Sequence, residues 1–406
     1  MRVWLVTAAE PIPSDGVRPM RFMGLARALA GRGHDVTIWT QTFFHHTKRH
    51  RFPADTEYAA EGYRVIVLRA FGYRTNVSLR RYASHWRFAR RLAAAMPQSP
   101  APDVVISSLP PLDTAAAAAD YCARRGIPFL VDIIDPWPDV FVDLLPPALQ
   151  PAGRVVSSPL RRRAVRIVRS AHTVTAISRR YAAWAAALAA PRPVATAVFH
   201  PAVQLGAFDP LARDPRDGSP LRVVYAGALG RAYDLDCAID CARLLAAEGA
   251  TIEIAIAGAG PERARLERRA EGLANVRFLG WLDAPALARL LAASDLGLAC
   301  YRHDATQTVT YKLFEYAGAG LPIVCSLDGE MGEMIREAGV GCTYRAEDPA
   351  DLARVLRTRD AARDDVAHMR GRARAFAEAR GDAERVYGAM AELLEDAARP
   401  RWRAHA

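Results

Sequence analysis

The chain has 406 residues, 51% hydrophobic and 24% charged, with a net charge of +10. That length exceeds a single hydrophobic core and fits two domains of about 150 to 200 residues, and no run reaches the roughly 18 apolar residues of a membrane span. The six cysteines form no Cys-x-x-Cys pair, which argues against a zinc or disulfide frame and for a reducing, cytoplasmic setting, with no secretory signal expected after Arg2.

Taken in chain order, residues 1–7 read as a short apolar strand, followed by a Pro/Gly-bearing loop. A helical face then carries Phe22, Leu25, Ala26 and Leu29 and stops at Gly31 and Gly33, before a strand at 36–39. This is a βαβ unit, the building block of a parallel sheet. Further strands are predicted at 63–68, 104–106, 129–131 and 173–175, with helices at 78–95 and 114–125. Residues 201–220 dissolve into Pro, Gly, Asp and Arg, and 206–220 is predicted to be an interdomain linker. A second βαβ series follows. Its strands are expected at 221–226, 252–257, 276–279, 296–299 and 322–324. Its helices are expected at 235–248, 261–271, 284–293, 311–319, 350–356 and 361–379. A last helix, 382–398, lies beyond the series and is expected to return to the first domain. The predicted fold class is α/β with two Rossmann-like doubly wound domains, 1–205 and 221–381, and a C-terminal segment, 382–406. If the two face each other, the cleft between them is the active site.

Lys312 and Lys48 are the only lysines; every other basic side chain is arginine. Lysine presents a compact point charge suited to a phosphate oxygen, and Lys312 opens a predicted helix that ends at Gly320-Leu321-Pro322. Gly227 and Gly230 follow the first strand of the second domain, with Arg231 beside them. Gly258 and Gly260 follow the next strand. Two glycine loops and a lysine at neighbouring strand ends describe a diphosphate site built from backbone N–H groups, Arg231 and Lys312. Glu315, three residues after Lys312, can accept hydrogen bonds from sugar hydroxyls. Asp234 and Asp236 sit where a helix begins and read as capping residues, so no metal is expected there. His34 reads as a turn residue.

The run from Lys312 to Pro322 resembles the Lys-x-x-Glu segment of the GT-B glycosyltransferases of family 4. Supporting matches are Arg27 to Thr37, Val276 to Gly280 and the Ser294-Asp295 pair. Phe43 to His46 and Val131 to Pro138 are similar to a bacterial subgroup that builds capsule, exopolysaccharide or O-antigen. The resemblance implies a nucleoside-diphosphate sugar bound by the second domain as co-substrate, no cofactor and no metal, and sugar transfer with retention of configuration. It implies Glu315 on the ribose, Arg277 and Phe278 beside the base, Gln307 and Thr308 near the donor sugar, and Lys312 with Arg231 on the diphosphate. Gln307 stands where the family commonly has glutamate, and Asp15-Gly16 where it often has two glycines. Asp15, Gly16, His45 and His46 are acceptor-side candidates. Asp132 and Asp135 are candidate catalytic carboxylates, each also read as a cap of the following turn.

Two helices are rich in arginine: Arg80, Arg81, Arg87, Arg90 and Arg91 with Tyr82, Trp86 and Phe88, and Arg161, Arg162, Arg163, Arg166 and Arg169. Such helices rest on anionic lipid or form a solvated face. A sugar, glycolipid or small-molecule acceptor and peripheral contact at the inner membrane face are expected. Nucleic acid is not, because the aromatics form no platform-like pattern. Tailoring of a secondary metabolite, sugar-nucleotide epimerisation and a catalytically silent binder remain alternatives.

Overall fold

Uninterrupted apolar runs become the central strands, because a parallel sheet is covered by helices on both faces. The computed structural model describes residues 1–75, 78–208 and 220–399. It divides into two units, 1–200 with 384–406 and 201–383. Most of the predicted linker lies outside the described residues.

The strands of the first unit are β1 (Arg2–Val6), β2 (Asp35–Gln41), β3 (Phe43–Phe44), β4 (Arg49–His50), β5 (Thr56–Ala60), β6 (Tyr63–Leu68), β7 (Val104–Leu109), β8 (Phe129–Ile133), β9 (Thr173–Ala176) and β10 (Ala195–Val198). Eight of them form one sheet in the order β10-β9-β8-β7-β1-β2-β6-β5. All its pairs are parallel except β5 on β6, and β3 and β4 make a separate hairpin. The β5–β6 turn places Glu61 and Gly62 at φ 55° and 83°. Two consecutive positive φ angles match the right-handed twist of a hairpin, and Arg27 holds the Glu61 carboxylate with two hydrogen bonds. The helices are α1 (Arg21–Gly31), α2 (Leu79–Ala95), α3 (Leu112–Arg125), α4 (Asp139–Asp143), α5 (Gln150–Ser170) and α6 (Arg179–Ala189).

In the second unit β11 (Leu221–Ala226), β12 (Ile252–Ala257), β13 (Val276–Gly280), β14 (Leu296–Ala299), β15 (Ile323–Cys325) and β16 (Gly341–Thr343) form an all-parallel sheet, β13-β12-β11-β14-β15-β16. Around it run α7 (Leu235–Ala247), α8 (Arg263–Arg269), α9 (Ala284–Ala292), α10 (Tyr311–Gly318), α11 (Glu330–Glu337), α12 (Pro349–Ala361) and α13 (Arg363–Arg380). A final helix, α14 (Ala383–Ala398), packs Tyr387 over Gly24 of α1 and pairs Glu392 and Glu395 with Arg32.

The strand order of the second unit reverses between β11 and β14, which places a crevice at their C-terminal ends. They pair at Val223↔Leu296 and Val224↔Gly297. Beyond that register the Tyr316 hydroxyl stands between them. It accepts from the Ala226 N–H at 2.9 Å and donates to the Leu298 carbonyl at 3.2 Å. Gly297 makes room, since a Cβ there would lie 2.4 Å from the Tyr316 ring. Behind α10, Phe314 stacks on Phe376 of α13 at 5.8 Å. Tyr316→Phe removes both hydrogen bonds and leaves the buried Ala226 N–H unpaired. A loss of about 1 to 3 kcal/mol is expected in equilibrium urea unfolding. An unchanged unfolding curve would show that the hydroxyl does not hold the crevice.

Candidate functional site

At the C-terminal edge of the second sheet, Lys312 lies in the first turn of α10 and is only 7% exposed. Its Nζ lies 5.0 Å from the Tyr225 ring centre and 4.6 Å from that of Tyr233. Electron-rich ring faces favour a cation. The Tyr225 hydroxyl is fixed by the Ala228 carbonyl at 2.7 Å, and Tyr233 leans on Tyr301. Burial raises the Tyr233 hydroxyl pKa, with charge at Cys300 and Glu315 adding to it, so the ring stays neutral. The ammonium sits directly on the first glycine loop. Gly227 has φ 153°, and a Cβ there would fall 2.2 Å from Lys312 Nζ. Lys312, Gly227, Tyr225 and Tyr233 are thus one constellation. The sequence offered Tyr233 no role, because its partner lies 79 positions away in numbering (233 to 312).

The other glycines serve a different purpose from the one expected. A Cβ on Gly258 would meet the Gly227 carbonyl oxygen at 1.8 Å, and one on Gly260 would meet the Leu229 carbonyl oxygen at 2.2 Å. The two loops are zipped together by Gly227 N–H to Ala257 C=O and Leu229 N–H to Ala259 C=O, each 2.9 Å. Gly258 and Gly260 are small so that one loop can lie on the other. Gly230 alone faces open space. Arg231 is 92% exposed and lies 3.6 Å from Glu262. Its guanidinium is thus solvent-exposed, whereas Lys312 is buried.

Gln307 and Thr308 lie between β14 and α10. Gln307 Oε1 and Thr308 Oγ1 are buried without a hydrogen-bond partner. Buried polar atoms are normally satisfied, so these two mark a place for ligand hydroxyls. Glu315 is half-buried one turn after Lys312. On the edge strand β13, Arg277 points outward to Glu253 at 3.5 Å while Phe278 packs on the core. Arg277 is exposed and Phe278 is half-buried. The exposed aromatic at that strand end is Trp281, 71% exposed and next to Gly280, whose carbonyl accepts from the Gly258 N–H at 2.7 Å. Asp234 caps α7 by accepting from the Cys237 N–H, and Asp236 pairs with Arg265. Among the described residues no group of three or more His, Cys, Asp or Glu is arranged to hold a metal ion.

In the first unit the acidic candidates part company. Asp132 is fully buried, with Oδ2 2.6 Å from Arg21 Nε and Oδ1 accepting from Arg21 Nη2 and Thr175 Oγ1. This carboxylate is the buried counter-ion of Arg21, where a catalytic group or a turn cap was expected. Asp15 likewise pairs with Arg51 at 2.8 Å, both side chains buried, and accepts from the Ile12 N–H; Gly16 beside it ends the turn at φ 64°. Asp135 is half-buried at the end of β8. Its Oδ2 accepts from Trp137 Nε1 at 3.3 Å, and burial raises its pKa. Only Asp135 of these three keeps the character of a site carboxylate. His34 pairs with Glu395 of α14. In the loop of the β3–β4 hairpin, His45 Nδ1 lies 2.8 Å from the Tyr73 hydroxyl and 3.2 Å from Lys48 Nζ. Burial, with Lys48 and Arg81 adding, pushes His45 down to about 3, and burial with Lys48 and Arg51 lowers His46. Both are neutral imidazoles near neutral pH. Sequence reading missed Glu10. It is buried at the end of the first strand's loop and accepts from the Phe22 N–H at 3.3 Å. No periodicity singles out a lone carboxylate in a loop.

A family model described as "Glycosyl transferases group 1" matches residues 220–358, and one described as "Glycosyl transferase 4-like domain" matches 19–202. A GDP-mannose-dependent alpha-(1-6)-phosphatidylinositol dimannoside mannosyltransferase of Mycobacterium tuberculosis is 34% identical over 137 residues, covering 34% of each chain. The match thus spans about a third of the length of that relative. Among solved structures, Anabaena HepE in complex with UDP is similar with a TM-score of 0.69 at 16% identity, covering 98% of this chain and 100% of that one. Sucrose-phosphate synthase from Thermosynechococcus elongatus gives a TM-score of 0.73 at 14% identity, covering 97% and 98%.

The buried Glu10 carboxyl is pushed up to about 7, mainly by desolvation. Its folded pKa exceeds the unfolded value of 4.5. The folded state therefore binds the extra proton, and stability falls as pH rises from about 4.5 to about 7. Glu10→Gln is expected to remove that fall, on the order of 3 kcal/mol, from the pH dependence of unfolding. Parallel pH profiles for the wild type and Glu10→Gln would place the titration elsewhere.

Proposed function

The chain belongs to the GT-B, family 4-like glycosyltransferases, and from that premise we propose that it moves a sugar from a nucleoside-diphosphate sugar to an acceptor in cell-surface polysaccharide or glycolipid assembly. The observation that carries the donor reading is Lys312, buried between two tyrosine rings with its ammonium on Gly227. The leaving diphosphate gains negative charge as the glycosidic bond breaks, and a fixed cation at a strand–helix junction stabilises that charge without reorganising. Arg231, long and exposed, adds a second cation from the same loop. Gln307 and Thr308 supply unsatisfied polar atoms for sugar hydroxyls, and Glu315 receives the ribose. No metal is invoked in this scheme.

The solved structure of HepE with UDP favours a nucleoside-diphosphate donor, and the mannosyltransferase relative favours a lipid-linked acceptor. Retention of configuration is proposed with Asp135 on the acceptor side. Unit 1 is proposed to work at the inner face of a membrane as a peripheral protein: among the described residues no helix is long and apolar enough to cross one, while two helices carry many arginines.

A thermal-shift screen of UDP, GDP, UDP-glucose and GDP-mannose tests the donor reading, since a ligand of the folded state raises Tm by mass action. Lys312→Ala is expected to weaken nucleoside-diphosphate affinity by about tenfold or more, about 1.4 kcal/mol. Gln307→Ala is expected to weaken binding of the sugar nucleotide but not of the free diphosphate. Undiminished diphosphate binding by Lys312→Ala would refute the assignment of that lysine.

A further inference from the structure

Unit 1 carries a cavity outside the donor site. It holds about 140 Å³ between α2, α3, α4 and α5, and its lining includes Arg81, Tyr82, Leu112, Trp137, Phe141 and Leu160. An apolar cavity of that size binds a small hydrocarbon. One end is charged. The Arg81 guanidinium lies 4.8 Å from the Trp137 ring centre and 5.8 Å from that of Tyr73, and Lys48 Nζ, outside the lining, lies 5.0 Å from the same Tyr73 ring centre. His85 bridges cavity and cluster, 6.1 Å from Trp137 and 6.2 Å from Tyr73. Burial lowers Lys48 to about 8, with Arg81 adding to it, and pushes His85 down to about 3. Two carboxylates face this end: Asp113, which lines the cavity and pairs with Arg163, and Asp135, which accepts from Trp137 and acts on Arg81. The cavity thus joins a guanidinium, Arg81, to a lining that is otherwise largely apolar, with Leu112, Phe141 and Leu160.

The cavity shares helices α2 and α5 with the most exposed apolar side chains of unit 1. Tyr82 and Phe141 line it and are themselves exposed. Leu79 on α2 is 90% exposed and Val156 on α5 is 81% exposed. Helices α2 and α5 carry arginines and no acidic residue. Long apolar side chains beside arginines suit the boundary between headgroups and acyl chains.

We propose that this cavity takes an anionic phospholipid of the bilayer, its phosphate against Arg81 and Lys48 and the start of an acyl chain against Phe141, Leu112 and Leu160. The inference rests on the reading of unit 1 as membrane-peripheral and adds a specific lipid site to it. A solvated arginine face would attract vesicles by charge alone. A built site requires phosphate and hydrocarbon on one molecule.

The test uses the full chain and dihexanoyl phosphatidylglycerol below its micellar concentration, titrated by calorimetry. The expected result is saturable binding. Deacylated headgroup and dihexanoyl phosphatidylcholine should each bind at least tenfold more weakly. Phe141→Asp and Arg81→Gln should each weaken binding at least fivefold, and both should leave nucleoside-diphosphate affinity and Tm unchanged as a check on folding. Equal binding of the two short lipids, equal binding of the deacylated headgroup, or undiminished binding by folded Phe141→Asp overturns the proposal. So does adsorption to phosphatidylglycerol vesicles with no binding of the short lipid. Loss of nucleotide binding with lipid binding intact would instead count against the glycosyltransferase reading.

Discussion

The second unit is organised around one hydroxyl. Two parallel strands that diverge at a topological switch point leave an N–H and a C=O facing each other with no backbone partner, and buried main-chain groups must be paired. Tyr316 supplies the missing pair, bonding Ala226 and Leu298 at once. That requirement fixes the rotation and depth of α10. With Tyr316 between the strands, Lys312, four residues earlier and one turn up, is carried to the strand ends, where Gly227 and the two tyrosine rings receive it. The position of the buried ammonium follows from a backbone hydrogen-bonding need, and the same helix brings Gln307 and Thr308 of the preceding loop to the crevice side.

The strands of this unit were legible because β11, β12 and β14 are largely apolar runs, broken only by Arg222 and Glu253, and such runs have few alternatives when both sheet faces are covered. The edges were less so. β5 is half exposed along its length and its turn uses Glu61 with Gly62, a pair without the usual asparagine or aspartate signal. The α4 and α5 region was blurred by Pro159 inside α5. At the site, Lys312 stood out by composition and Glu315 by spacing. Asp132 misled, because its partner Arg21 is 111 residues away in sequence. Nothing local distinguishes a buried counter-ion from a catalytic carboxylate. Paired glycines misled for a related reason. A Gly-x-Gly permits close approach, and here the backbone of the neighbouring loop approaches Gly258 and Gly260.

Zipping the loops still serves the site. In the proposed donor site, a loop that offers its N–H groups to a diphosphate must hold its shape before the ligand arrives. Two loops that share hydrogen bonds at 2.9 Å restrain each other. The division of labour is then clear: Gly258 and Gly260 make the platform rigid, Gly227 admits the ammonium, and Gly230 leaves the open side.

The chain's two lysines meet the same kind of neighbour. Lys312 lies against Tyr225 and Tyr233, and Lys48 against Tyr73. Arginine also lies over rings, as Arg90 does over Trp86 at 4.9 Å from its centre. A guanidinium is a planar fork that satisfies itself by stacking and by bidentate pairing, whereas an ammonium is compact and can enter the corner between a ring and a backbone turn. At Gly227 that corner is so tight that even one methyl group would collide with Nζ. In a chain that otherwise uses arginine throughout, steric room selects the lysine at Gly227.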